Sequence, residues 1–208
     1  LSRARLKMSD INLINPPQFM PDIPLVGFPI LKAALREKGI RSRFFDLNVD
    51  YYHDVLSEEN IRSYVHVPEH SESLDEFVES ASQASRDLRQ ILPFDNLNRY
   101  LEARETLENA LNFLVEPYGA RLGFMSSSLA YRHDASASVL QAIGDKQKNP
   151  YMPFYESKLE GILESEIVGI GILVPEQIIP AFTLAKMIKD KSPDTTVILG
   201  GNTFSRIK

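Results

Sequence analysis

Short apolar runs and segments with helical periodicity alternate at both ends of this chain. Near the N-terminus, the run "INLIN" ends at Pro16-Pro17 and is typical of a buried strand. Apolar residues with helical spacing then predict a helix over 26–38, and "RSRFFDL" predicts a second strand. This order is a βαβ unit, which implies two parallel strands joined by a right-handed crossover.

The C-terminal part repeats this pattern. Residues 167–174, "IVGIGILV", form a continuous apolar run of the kind found in strands covered on both faces. A helix is predicted over 177–191, and "TTVILGGN" predicts a fourth strand that ends at Gly200 and Gly201. Together the two ends predict an α/β fold with a doubly wound parallel sheet.

More than a hundred residues of helical character separate these two units. Apolar stripes predict one helix from 74 to 92 and another from 97 to 114, with weaker helical signals around 135–145 and 154–164. We therefore expect a helical insertion after the second strand. The expected parts are a first sheet-forming part at 1–56, the insertion at 57–150 and a second sheet-forming part at 151–208.

The predicted sheet looks incomplete. Four strands are recognisable, whereas doubly wound domains usually have five or more. The sequence continues only to "TFSRIK" beyond the fourth strand. We expect these residues to be part of a longer protein.

Composition narrows the function classes. Of 208 residues, 43% are hydrophobic and 25% are charged, which is ordinary for a soluble globular protein. The net charge of −5 gives no reason to expect a nucleic-acid partner. No apolar run approaches the roughly 20 residues that span a bilayer, so no membrane partner is expected. Cysteine is absent, which excludes disulfides and cysteine-ligated metals in this chain and fits a cytoplasmic protein.

Four unusual segments follow the predicted strands: "NPPQFMPDIPLVG", "DLNVDYY", "VPEQ" and "GGNTFS". In open parallel sheets, ligands bind outside the carboxyl ends of the strands. These segments therefore predict a binding face at that edge. The alternative is that their prolines and glycines only terminate strands.

Other sites are not supported by the motifs present. Neither phosphate-binding glycine motif occurs, and Asp46 is better interpreted as a strand-end cap than as a phosphoacceptor. The segment His66 to His70 matches the zinc motif H-x-x-E-H, but Pro68 at its centre disfavours the continuous helix that this motif needs. We predict no metal site and no catalytic residue in this chain.

Three segments resemble the N-terminal cobalamin-binding domain of B12-dependent radical S-adenosylmethionine (SAM) enzymes, especially those that mature ribosomally made peptides. They are "INLINPPQFMPDIPLVGFPILKAALREKGI" with "FFDLNVDYY", then "NPYMPFYESKLEGILESEIVGIGI", and "VPEQIIPAFTLAKMIKDKSPDTTVILGGNTFS". The resemblance covers both sheet-forming ends, and it extends to the insertion only in length and character.

This resemblance implies a flavodoxin-like or Rossmann-like three-layer sandwich that holds a corrinoid on the carboxyl edge of its sheet. The matching cofactor-binding positions are Pro16, Pro17, Leu25, Val26, Gly27, Val174, Pro175, Glu176, Gln177, Gly200, Gly201, Asn202, Thr203 and Phe204. Gly200 and Gly201 would let backbone approach the cofactor closely. The proline loop, residues 16–27, would offer preformed apolar surface. Gln177, Asn202 and Thr203 are expected to bond the cofactor's amide side chains.

Two departures limit what this chain does alone. No histidine lies in the D-x-H-x-x-G context in which it would replace the lower cobalt ligand, and C-x-x-x-C-x-x-C is impossible without cysteine. The [4Fe–4S] cluster, the S-adenosylmethionine site and the catalytic barrel are therefore expected in a C-terminal part absent from this chain. The alternative is a cofactor-free, doubly wound interaction module that docks a peptide substrate or a partner protein.

Overall fold

The computed structural model describes residues 10–64, 71–90 and 95–205. In these ranges the strands are β1 (Ile11–Asn15), β2 (Ser42–Asp46), β3 (Arg121–Leu122), β4 (Ser127–Ser128), β5 (Ile167–Gly171) and β6 (Thr196–Gly200). The helices are α1 (Gly27–Glu37), α2 (Leu47–Val55), α3 (Glu58–Tyr64), α4 (Ser71–Gln90), α5 (Leu97–Val115), α6 (Ser136–Ala142), α7 (Met152–Ile162), α8 (Ile178–Lys191) and α9 (Asn202–Ser205).

Four of the strands form one parallel sheet in the order β2-β1-β5-β6, and β3 pairs with β4 in a small antiparallel hairpin. Helices flank the parallel sheet, and the helical insertion follows β2. The sequence-based prediction of the fold, with its four strands and its insertion, is confirmed.

One face of the sheet is well covered. On this face Ile14, Val168 and Ile170 are buried, and Asn12 donates from Nδ2 to the carbonyl oxygen of Ile162 in α7 at 2.8 Å. The core on this side is continuous with the insertion, because buried residues of α5 belong to the same hydrophobic cluster. The insertion is thus part of one core.

The other face is covered by α1 on the β1–β2 side, where the rings of Phe28 and Phe44 lie 4.7 Å apart. The predicted apolar stripe of α1 does not face this core. Val26 and Ile30 are 66% and 64% exposed, and Phe28 is the buried residue of the helix. The helix leaves the β5–β6 half of this face open.

The segment "DLNVDYY" was expected to form part of the ligand-binding edge, but most of it forms the start of α2. Asp46 caps α2 by accepting from the backbone N–H of Val49 at 3.3 Å, so the helix begins directly after β2. Tyr51 and Tyr52 are buried in the core. The cap prediction for Asp46 is confirmed, and most of this segment supports the core and does not form a ligand-binding loop.

The described residues also bear on the metal sites and membrane spans that the sequence did not predict. The H-x-x-E-H segment from His66 to His70 lies outside the described residues. Among the residues that are described, no three metal-ligating side chains cluster in a way that could hold an ion. Within those same ranges, no helix is both long and apolar enough to cross a membrane.

Candidate functional site

An apolar groove of about 490 Å³ runs along the open half of the sheet, beside α1, and reaches the carboxyl edge. Its floor and walls include Leu13, Phe19, Pro24, Leu25, Val26, Gly27, Phe28, Leu31, Gly169, Gly171, Leu173, Ile198, Gly200 and Gly201. No ionisable side chain of the described residues lines it. A ligand in this groove would be held by shape and apolar contact, without charge or acid–base chemistry from the lining.

Strand register produces this floor. Across β1, β5 and β6, Leu13 pairs with Gly169 and Gly169 pairs with Ile198, so the three residues lie in one row on the open face. In the next row on this face, Gly171 pairs with Gly200. Glycines at alternate positions leave bare backbone where side chains would otherwise stand.

The two glycines of that second row differ in surroundings. A Cβ at Gly171 would lie 2.6 Å from Cζ of Phe28, because the Phe28 ring takes the place of a side chain there. A Cβ at Gly200 would meet nothing within 4 Å. The backbone at Gly200 is therefore open to a flat ligand.

Gly201 lets the chain turn at the end of β6. Its φ is +116°, and a Cβ at this position would lie 2.4 Å from the carbonyl oxygen of Ile172. The backbone N–H of Ile172 donates to Gly200 at 2.7 Å, and that of Thr203 donates to Ile172 at 3.2 Å. Only glycine permits this close approach of the two loops.

A buried amide network ties the loops together below the groove. Gln177 is fully buried, its Oε1 accepts from the N–H of Leu173 at 2.8 Å, and its Nε2 donates to Asn15 and to the carbonyl of Pro16 at 3.0 and 2.7 Å. Asn15 in turn donates to Asp46 at 3.0 Å. Gln177 therefore supports the site from beneath, whereas the sequence suggested a direct bond to a ligand.

The structure brings the three segments that contain the predicted cofactor-binding positions, 16–27, 174–177 and 200–204, to one edge of the sheet. Leu25, Val26, Gly27, Gly200 and Gly201 line the groove. Pro16, Pro17 and Gln177 are buried behind it, Val174, Pro175 and Glu176 lie where β5 leads into α8, and Asn202, Thr203 and Phe204 form the start of α9.

The sequence-based prediction of the site did not include Leu31, Leu173 and Ile198, which line the groove. It also did not include Gly169 and Gly171, which lie inside β5. Their spacing of two within a strand was the available signal, since glycines at alternate strand positions indicate a close approach on one face.

Thr203 lies at the start of α9, just after the glycine turn that ends β6. The hydroxyl of Thr203 is buried and has no hydrogen-bond partner among the described residues. On the opposite side, the Tyr100 hydroxyl donates to the carboxylate of Asp22, and this hydrogen bond raises the pKa of Tyr100. The Tyr100–Asp22 bond links the insertion to the proline loop of the groove.

No protein-family model matches the chain, and no curated protein or solved structure is detectably similar to it.

Proposed function

We propose that this chain is a cobalamin-binding domain of the kind found at the N-terminus of B12-dependent radical SAM enzymes. The observation that supports this best is the apolar groove at the carboxyl edge, whose floor is open backbone at Gly200. A C-terminal radical SAM barrel of the same polypeptide would be its working partner, and a peptide or small molecule its substrate.

The groove suits one flat portion of a corrinoid. Cobalamin combines a broad macrocycle, bordered by amide side chains, with a flat aromatic base on a nucleotide arm. A groove of about 490 Å³ holds a part of such a molecule, with the remainder lying over the edge. Leu173, Ile198 and Gly200 would contact the flat portion.

When bound, cobalamin would supply the chemistry for methylation or another radical modification. The residues of this chain would bind and orient it and exclude water from its apolar part. Because no histidine lines the groove, no imidazole from this lining would ligate the cobalt. This arrangement assigns the chain a binding role and leaves catalysis to the barrel.

Charge placed in the groove should test the proposal. Ile198 on the floor and Leu140 on α6, outside the groove, are 51% and 68% exposed, so Ile198→Glu and Leu140→Glu have comparable effects on folding. We expect hydroxocobalamin to co-elute with the wild-type chain and with Leu140→Glu. Ile198→Glu should bind at least about tenfold more weakly, since it buries an unpaired carboxylate against the ligand.

Absorbance of the corrinoid after gel filtration is the measurement. If the wild-type chain retains no corrinoid at high micromolar concentration, or if both glutamate variants bind equally well, the proposal is wrong.

A second candidate function is a cofactor-free module that docks a peptide. A groove of about 410 Å³ between the proline loop, α2 and α4 has an apolar base that includes Leu56, Leu88 and Phe124, with Arg86 and Arg89 among its lining residues. Asp22 and Glu58 line the same groove, so a fitting peptide would carry charges of both signs, with its acidic residues opposite the two arginines. Fluorescence anisotropy with labelled peptides of this kind would show binding that Leu88→Glu abolishes and Ile198→Glu leaves intact.

A further inference from the structure

The proline loop, residues 16–27, is held by the insertion at two points. Near its start, Gln18 reaches the β3–β4 hairpin, and in its middle Asp22 accepts from Tyr100 of α5. This loop supplies Phe19, Pro24 and Leu25 to the groove wall. The wall of the groove and the insertion are therefore physically coupled.

Gln18 has an unusual backbone conformation. Its φ of 76° is the only positive value at a non-glycine residue within the described ranges. Long side chains adopt this region only when surrounding contacts hold them there. Here the side chain is 1% exposed, and Nε2 donates to the carbonyl oxygens of Gly123 and Ser126 at 3.1 and 3.3 Å.

The hairpin that accepts these bonds is itself fixed to α5. The backbone N–H of Leu122 donates to Asn112 Oδ1, and that of Phe124 donates to Glu108 Oε1, each at 3.0 Å. Gly123 donates to the carbonyl of Ser126 at 2.8 Å and closes the turn. The two carbonyls that Gln18 uses are thus presented by a turn that α5 holds in place.

We propose that the helical insertion positions the proline loop, with Gln18 and Tyr100 as the positioning residues that shape the groove wall before any ligand binds. A preformed wall reduces the ordering cost of binding. The identity of the ligand rests on the proposed function, whereas the support of the loop does not.

Hydrogen exchange of the ligand-free protein tests the support directly. Gln18→Gly keeps the positive φ accessible and removes the anchoring side chain with its amide. Tyr100→Phe removes only the hydroxyl that bonds Asp22. Tyr131→Phe is the matched control, because Tyr131 donates to Asp145 at 2.6 Å within the insertion and does not contact the loop.

We expect amide exchange in residues 18–27 to become at least tenfold faster in Gln18→Gly and faster in Tyr100→Phe. Tyr131→Phe should leave the exchange of this loop unchanged. Wild-type exchange of the loop in both test variants would overturn the proposal, as would an equal acceleration in the control. Tyr100→Phe keeps the test decisive if Gln18→Gly does not fold.

Hydroxocobalamin affinity gives the second readout. The dissociation constant should rise about tenfold in Gln18→Gly and stay at the wild-type value in Tyr131→Phe. If the wild-type chain binds no corrinoid, the proposed function fails and hydrogen exchange still decides the role of the insertion. If the wild-type chain binds and Gln18→Gly matches it in affinity and loop exchange, the inference fails and the proposed function stands.

Discussion

Two adjacent glycines at the end of β6 have separable roles. Gly201→Ala would place a Cβ 2.4 Å from the backbone oxygen of Ile172 at a φ of +116°, so both strain and overlap oppose it. We expect it to lower the free energy of unfolding by about 2–4 kcal/mol. Gly200→Ala meets nothing within 4 Å and should change that free energy by less than about 1 kcal/mol.

Urea denaturation followed by circular dichroism would compare the two variants. Equal destabilisation would show that the turn at Gly201 tolerates a side chain, which contradicts the geometry. The sequence motif "GG" predicted close approach at both positions, but only the contact with Ile172, some thirty residues away, distinguishes a structural glycine from one that faces the groove.

At the level of elements, α4 and α5 pack together and are joined by an ion pair. Arg99 donates from Nε and Nη2 to the Asp87 carboxylate at 3.0 and 2.6 Å, which lowers the pKa of Asp87 below its ordinary value of 3.8. An acid with a lowered folded-state pKa stabilises the fold above its unfolded-state pKa, and this contribution disappears as pH falls through the folded-state value.

Asp87→Asn should therefore lower the melting temperature at pH 7, and the difference from the wild-type chain should shrink below about pH 4. Glu79→Gln is the matched control, since its partner Arg86 lies on the same helix and the pair is largely exposed. Thermal melts at pH 7 and pH 3 give the comparison. A difference of the same size at both values would exclude the ion pair as its cause.

Most elements follow from periodicity, and the exceptions have physical causes. The strands and long helices have enough residues to show a repeat, whereas β3 and β4 have two residues each and show none. In α1 the apolar residues matched a helical stripe, but the sequence does not reveal that α1 covers only half of its face of the sheet. The loops of the site could be predicted because they follow the carboxyl ends of the strands. The groove floor could not, because it depends on the register that pairs β1 with β5 and β5 with β6.

For the whole molecule, the insertion and the sheet share one hydrophobic core. Tyr52 from α2 packs against Phe124 of the insertion with ring centroids 5.1 Å apart, in the same cluster as Leu111 of the insertion. Removing residues 57–150 would take this contact away from Tyr52. A deletion of the insertion is therefore expected to disrupt folding and cannot by itself test ligand binding.

The shared core predicts one cooperative folding unit. Leu111 in α5 and Leu184 in α8 are both fully buried. Leu111→Ala and Leu184→Ala should therefore each lower the free energy of unfolding by about 2–5 kcal/mol. If the unit is cooperative, each variant lowers the free energy of hydrogen exchange of the most protected amides in β1, β5 and α5. Within one variant, this decrease is the same in all three elements. Were Leu111→Ala to weaken α5 and leave β5 at wild-type protection, the insertion would be a separate folding unit, and its coupling to the groove would be limited to the contacts of Gln18 and Asp22.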